Sequence, residues 1–330
     1  MSPGRLAPME PVAPNPTFAT SAELAQHVRD ALAAKYERPL VIELDDRRVA
    51  VLDGKPLTFA RGVMLGVYGE EVAALIEPLD ISSLPWHAVP SDGLRLWRQH
   101  GLDEADGELV TELEAGDPAV QLIVADDGGW QLVRTLDGAQ GWIRTRDLGP
   151  ALSSTDLPDV SRVQATDIVA PDRLATEAVA LLDTPYVWGG ATDAGVDCSG
   201  IVQRSAWRAS QVWLPRHSRA LLRVGARVGP SAAKQAGDIY VLQRDPATID
   251  AEQAAQAAAQ AEVERLERKV PVTGPAVHPL HVAIALGDGR VLHASRDALR
   301  VVTEPEAELL ARYRVLGVRR LGPTAPKDSA

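Results

Sequence analysis

The sequence predicts an α+β protein of more than one domain, on three observations. Apolar residues recur at helical spacing in 21–37 and 173–184. Short strands separated by Gly/Asp turns fill 85–150. A helix opening near residue 197 is followed by the strand-like HVAIAL, VLHAS and YRVLGVRRL. At 330 residues the chain is too long for one core.

Composition narrows the function classes. Apolar residues make up 45% of the chain, an ordinary globular share. A formal charge of −11 with no long basic run argues against nucleic acid or an anionic membrane as partner. A single cysteine excludes an intrachain disulfide framework. Residues 1–19 are Pro-rich, lack the apolar core of a signal peptide and read as a flexible tail. No stretch approaches the roughly 18 apolar residues of a membrane span. The expectation is a cytoplasmic protein. Export without a visible signal, and the oligomeric state, stay open.

The elements follow in order. An α/β module at 20–84 begins with SAELAQHVRDALAAKYE, where Ser21 is a candidate cap and Leu24, Val28, Leu32 and Ala33 share a face. Two β-rich runs then flank Asp45-Asp46-Arg47-Arg48, and VMLGVYGEEVAALI fits either helix or strand. In 85–150 the runs LRLW, ELVTEL, AVQLIVA, WQLVRTL and GWIRTRDL suggest a small β-barrel, with Trp130 and Trp142 in its core. Residues 151–172 are a Ser/Asp/Pro-rich linker. A last domain spans 173–322, interrupted at 244–279 by an Ala/Gln/Glu/Arg-rich, helix-forming insertion, and 323–330 is a tail.

Chemistry concentrates at GVDCSG. Asp197 is placed to cap a helix with Ile201, Val202, Ser205, Ala206 and Ala209 on one face, which puts Cys198 in its first turn. There the unpaired N–H groups and the helix dipole favour thiolate, and the same N–H groups can hold an oxyanion. The polar neighbours Asp197, Ser199 and Gly200 suit an accessible nucleophile. The alternative is a small buried hydrophobe.

A thiolate nucleophile needs a base, and His281 and His293 flank Gly287-Asp288-Gly289. A two-residue loop would turn the two rings to opposite faces; a three-residue loop, 287–289, puts them diagonally on one face. The odd-length loop is therefore expected, with Gly289 left-handed, His281 pairing with Cys198 and His293 fixing its tautomer. A zinc site from His278, His281 and Cys198 or His293 lacks helical support and a CxxC, so no metal and no other cofactor is expected.

These residues, in this order, resemble the NlpC/P60 family of papain-like cysteine peptidases, which cleave stem peptides of bacterial cell walls. The likeness covers about 175–322 through Tyr186-Val-Trp188-Gly-Gly, Asp197-Cys198-Ser199-Gly200, Leu214-Pro-Arg216-His-Ser218, Gly237-Asp238-Ile-Tyr240, His281-Val-Ala-Ile and Leu292-His293-Ala. It implies a papain-like catalytic domain with Cys198 as nucleophile, His281 as base and His293 as the orienting third residue. It also implies that Tyr186 lines the cleft near the oxyanion and that Asp197 and Ser199 contact substrate. Asp197 would then either hold the free amine of a terminal L-Ala or only cap its helix. Trp188 is a core or cleft-wall residue, and Arg216 and Ser218 belong to the rim.

Residues 116–143 resemble a bacterial SH3 (SH3b) domain, and the 20–84 module is a candidate divergent copy. Where such domains carry an aromatic between Asp-Gly and Gly-Trp, this chain reads Asp137-Gly138-Ala139-Gln140-Gly141-Trp142. The resemblance implies hydrolysis of γ-D-glutamyl–diamino acid bonds in muropeptides bearing free L-Ala. An amidase or acyltransferase on the same scaffold, or a non-catalytic cell-wall binder, are the alternatives.

Overall fold

Thr20, one residue before the expected cap, starts the first helix in the computed structural model: the Glu23 N–H donates to its hydroxyl at 3.3 Å. The structure describes residues 18–33, 40–52, 55–103, 107–159, 161, 165–166, 169–245 and 280–322. The tails at 1–17 and 323–330, and nearly all of the expected insertion, 246–279 with His278, lie outside the described residues. The chain divides into two units, Met1–Ser83 and Leu84–Ala330.

In the first unit, α1 (Ser21–Ala33) buries Leu24, Val28 and Leu32 as its spacing predicts. Strands β1 (Val41–Glu43) and β2 (Val49–Val51) form the expected hairpin, its turn tied by Asp45 accepting from the Arg47 and Arg48 N–H groups at 2.9 and 2.8 Å. The ambiguous segment resolves into α2 (Lys55–Tyr68), α3 (Glu70–Ala73) and β3 (Ile76–Pro78), the last parallel to β2. Helices on a three-stranded sheet make this the expected α/β module rather than a second all-β barrel.

The second unit holds two six-stranded sheets. The first comprises β4 (Trp86–His87), β5 (Leu94–Trp97), β6 (Leu109–Leu113), β7 (Val120–Asp127), β8 (Trp130–Arg134) and β9 (Gln140–Arg144), ordered β4-β7-β8-β9-β5-β6. Among the described residues β4 and β6 are not paired, so the expected barrel is an open-ordered sheet. Trp130 and Trp142 are buried in it, His100 meeting Trp142 edge-on.

After α4 (Pro171–Val179), β10 (Ala191–Thr192) and β11 (Gly195–Val196) lead into α5 (Cys198–Ser210). The second sheet is antiparallel throughout, ordered β12-β17-β13-β14-β15-β16. Its strands are β12 (Ala226–Arg227), β13 (Ile239–Arg244), β14 (Leu280–Ala285), β15 (Arg290–Ser295), β16 (Arg300–Pro305) and β17 (Tyr313–Arg320). Helices α4 and α5 pack on one face through Val282, Ile284 and Leu292. On the other, α6 (Glu306–Arg312) brings Leu309 against Ala283, Ala285 and Val291.

Helix α5 buries more than the predicted stripe. Ile201, Val202, Ser205, Ala206 and Ala209 face inward, but Gln203 and Arg204 are buried too. The Gln203 amide donates to the Leu214 carbonyl at 2.6 Å, and Arg204 is covered by the first sheet. Arg204 reaches it with a two-pronged bond to Asp117 at 2.6 and 2.7 Å, and Trp213 inserts into that sheet's core. Two sheets therefore clamp the helix that carries the cysteine.

Candidate active site

Asp197 is the N-cap of α5, in extended conformation, and Cys198 is the first helical residue. The Asp197 Oδ1 accepts from the Ser199 and Gly200 N–H groups at 3.1 and 2.7 Å and from the Ser199 hydroxyl at 3.2 Å. Its Oδ2 accepts from the Gly189 N–H at 3.0 Å. Gly200 is required because a Cβ there would collide with the Gly190 carbonyl oxygen.

Arg216 completes this cap from below. Nη1 donates to Asp197 Oδ1 and to the Ser199 hydroxyl, and Nη2 to Asp197 Oδ2 and the Gly190 carbonyl. Nε donates to the Thr111 hydroxyl of β6 at 3.0 Å. All five guanidinium N–H groups are thereby used. The expectation of Arg216 at the rim is corrected: it is buried, because its fork is the counter-charge of a buried cap. Burial alone would raise the Asp197 carboxyl, but Arg216 and the Gly200 and Gly189 N–H groups hold it below the usual carboxylate range.

Of the two alternatives open for Asp197, amine holder or helix cap, the geometry favours the cap. Six donors already fill the Asp197 carboxylate, which has about four lone-pair sites. The Ser199 hydroxyl is committed to Asp197 and Arg216. Capping is the duty the geometry gives Asp197.

The sulfur is also more enclosed than expected. Cys198 retains 7% of its surface exposed, because the start of α5 lies between the two sheets. Burial first, then the Asp197 carboxylate, push its thiol up to about 12, against the lowering effects of the Ser218 hydroxyl, the Val282 N–H and Arg216. Ser218, also expected at the rim, is instead buried at the start of a 3₁₀ turn and lies 3.9 Å from Sγ. The resting group is therefore a thiol, not the spontaneous thiolate that helix position alone predicts.

The hairpin between β14 and β15 has the odd-length loop. Ile284 pairs with Leu292 and Ala285 with Val291, the Leu286 N–H bonds the Arg290 carbonyl, and 287–289 make the turn with Gly289 at φ +83°. His281 and His293 share a face, with Nε2 of the first 2.8 Å from Nδ1 of the second. That face is the one α6 covers, where Tyr313 stacks on His281 at 5.1 Å. The start of β14 adjoins the sulfur through its backbone: the Val282 N–H, one residue past His281, acts to lower the Cys198 thiol, and Cys198 acts on Tyr313, whose ring stacks on His281.

Beyond His293 stands a carboxylate the sequence did not flag. His293 Nε2 lies 2.6 Å from Glu304 Oε1, and Arg312 donates to both Glu304 oxygens at 2.8 and 2.9 Å. Glu304 sits on β16 two residues past Val302, the direct partner of His293, so it is the diagonal neighbour on the same face.

The cleft wall is partly as expected. Tyr186 is half-buried against the core around Cys198, and burial, then the Cys198 and Asp197 charges, raise its phenol well above the ordinary value. It stays a hydrogen-bond donor at neutral pH. The Trp188 indole N–H donates to Glu108 at 3.3 Å, and the Arg296 guanidinium lies 6.0 Å from its ring centre. In place of the missing aromatic, Asp137 of the β8–β9 turn accepts from the Trp213 indole at 2.9 Å and the Arg216 N–H at 2.8 Å.

A cysteine at a helix start, with a histidine pair that ends on a carboxylate in the sheet packed against that helix, is the residue set of the cysteine-hydrolase class. Within that class, residues 183–260 match the model of the NlpC/P60 family. The chain is 35% identical over 170 residues to a gamma-DL-glutamyl hydrolase of Bacillus subtilis (strain 168), covering 51% of this chain and 34% of the relative. It is 25% identical over 225 residues to a gamma-D-glutamyl-L-lysine dipeptidyl-peptidase of the same organism, covering 68% of this chain and 58% of the relative. The crystal structure of an NlpC/P60 family protein from Bacillus cereus ATCC 10987 aligns over 74% of this chain and 65% of its own, with 21% identity and a TM-score of 0.34. The chain thus spans about a third of the length of the first relative.

Proposed function

We propose that this protein is a cysteine endopeptidase that hydrolyses γ-D-glutamyl–diamino acid bonds in cell-wall peptides with a free N-terminal L-Ala, through an acyl-enzyme. The observation that carries the chemistry is the buried chain His281–His293–Glu304, which begins one residue before Val282, whose N–H acts on the Cys198 sulfur. The bond class is supported by the relatives named for γ-glutamyl hydrolysis.

In this mechanism His281 takes the Cys198 proton as Sγ attacks the γ-carbonyl carbon of D-Glu. A thiol raised to about 12 makes that transfer part of the attack rather than a prior ionisation. The carbonyl oxygen, now negative, is held by the Cys198 N–H and the Tyr186 hydroxyl. Asp197 already occupies the Ser199 and Gly200 N–H groups, so the helix start offers one donor rather than several. The C–N bond breaks, the amine leaves with the proton from His281, and water attacks the thioester with His281 as base. Trp188 and Tyr186 form the wall that receives the peptide, and a cytoplasmic site of action belongs to the same proposal.

Product analysis of L-Ala-γ-D-Glu-diamino acid peptides tests this. Cleavage at the γ-bond that Cys198→Ala abolishes, with the fold intact, supports it. Cleavage that survives the substitution removes Cys198 from the chemistry. Turnover of other amides or esters but not of these peptides would return the protein to the amidase or acyltransferase class.

A further inference from the structure

Glu304 has a duty that no motif signals. Its carboxylate can only accept hydrogen bonds, so the ring nitrogen 2.6 Å away, His293 Nε2, must carry a hydrogen. A neutral His293 then has a bare Nδ1, and the group 2.8 Å from that nitrogen is His281 Nε2, which must donate. His281 is left with its lone pair on Nδ1. One carboxylate thus determines, through two rings, which nitrogen of the base is basic.

We propose that Glu304, held by Arg312, is a positioning residue that fixes the tautomers of His293 and His281 and so leaves Nδ1 of His281 as the proton acceptor. The Arg312 fork, donating to both Glu304 oxygens, prevents the carboxylate from rotating away. Glu304 is mostly buried, with 15% of its side chain exposed, so water competes weakly for it. Tyr313, stacked on His281, and Arg244, which lies 5.4 Å over the Tyr313 ring and pairs with Asp297, complete the enclosure. The proposal rests on the assignment of His281 as base.

Nitrogen-15 imidazole spectra of the full chain read the tautomers without any substrate. Near neutral pH the proposal expects a protonated Nε2 and a pyridine-type Nδ1 on both rings; Nδ1–H on His293 overturns it. Glu304→Gln is the second arm. Arg312 draws the Gln carbonyl oxygen toward itself, the amide NH₂ then faces His293 Nε2, and both tautomers invert. The expected result is a kcat lower by about 100-fold or more with KM little changed, alongside the inverted spectrum. An unchanged kcat with Nε2–H retained overturns the proposal. If the substituted chain does not fold, the wild-type spectrum decides alone. Expected tautomers in a protein that cleaves no γ-glutamyl peptide would uphold this inference and defeat the proposed function.

Discussion

Arg216 grips Asp197 with both ends of its guanidinium, Nη1 to Oδ1 at 2.8 Å and Nη2 to Oδ2 at 2.6 Å, both side chains being buried at the start of the cysteine helix. Removing one partner of a buried pair strands the other charge, which costs about 3–5 kcal/mol. Asp197→Asn and Arg216→Met are each expected to lower the free energy of unfolding in urea by that amount. The loss should be visible in the midpoint, and an effect below about 1 kcal/mol would mean the pair is solvated.

The same pair sets an acid limit. Asp197 has its folded carboxyl below the unfolded value, so its contribution is present above about pH 4 and is lost as pH falls through the depressed value. Unfolding curves of the wild type should therefore weaken steadily below that pH, and those of Asp197→Asn should weaken less steeply.

Cys198 should react slowly without substrate. A thiol held at about 12 exposes far less thiolate at neutral pH than a free cysteine, which titrates near 8.5. Iodoacetamide should label the native protein at pH 7.5 at least about 100-fold more slowly than the urea-unfolded chain. Native labelling should then rise with pH beyond 9. Native labelling as fast as the unfolded chain's would mean that the sulfur already rests as an anion.

The first sheet is expected to unfold together with the cysteine helix. Arg204 and Asp117 join them through a pair whose side chains are 3% and 2% exposed. Asp117→Ala should cost about 3–5 kcal/mol, whereas Arg204→Met with Asp117→Leu should recover most of it. Thermal scans that instead separate two transitions within 84–330 would show that the clamp does not couple them.

What the sequence disclosed was local. The face of α1, the hairpin around Asp45–Arg48, the cap at Asp197 and the three-residue loop at 287–289 each depend on residues within a few positions of one another. Arg216 reads as a rim residue and Arg204 lies outside the predicted stripe of α5, because nothing nearby says that another sheet reaches them. Glu304 stayed hidden for a similar reason. Its place beside His293 depends on the β15–β16 register, which the turn Arg296–Leu299 does not announce. The thiol's state is likewise not local: the helix start argues for ionisation, while burial, which opposes it, comes from distant chain.

Mass spectrometry of the protein mixed with an L-Ala-γ-D-Glu-diamino acid peptide tests the nucleophile most directly. A transient L-Ala-γ-D-Glu adduct on Cys198, followed by release of the free dipeptide and diamino acid, is the result predicted, with neither seen for Cys198→Ala. Hydrolysis at an undiminished rate with no mass added to Cys198, or with that residue replaced, would contradict it.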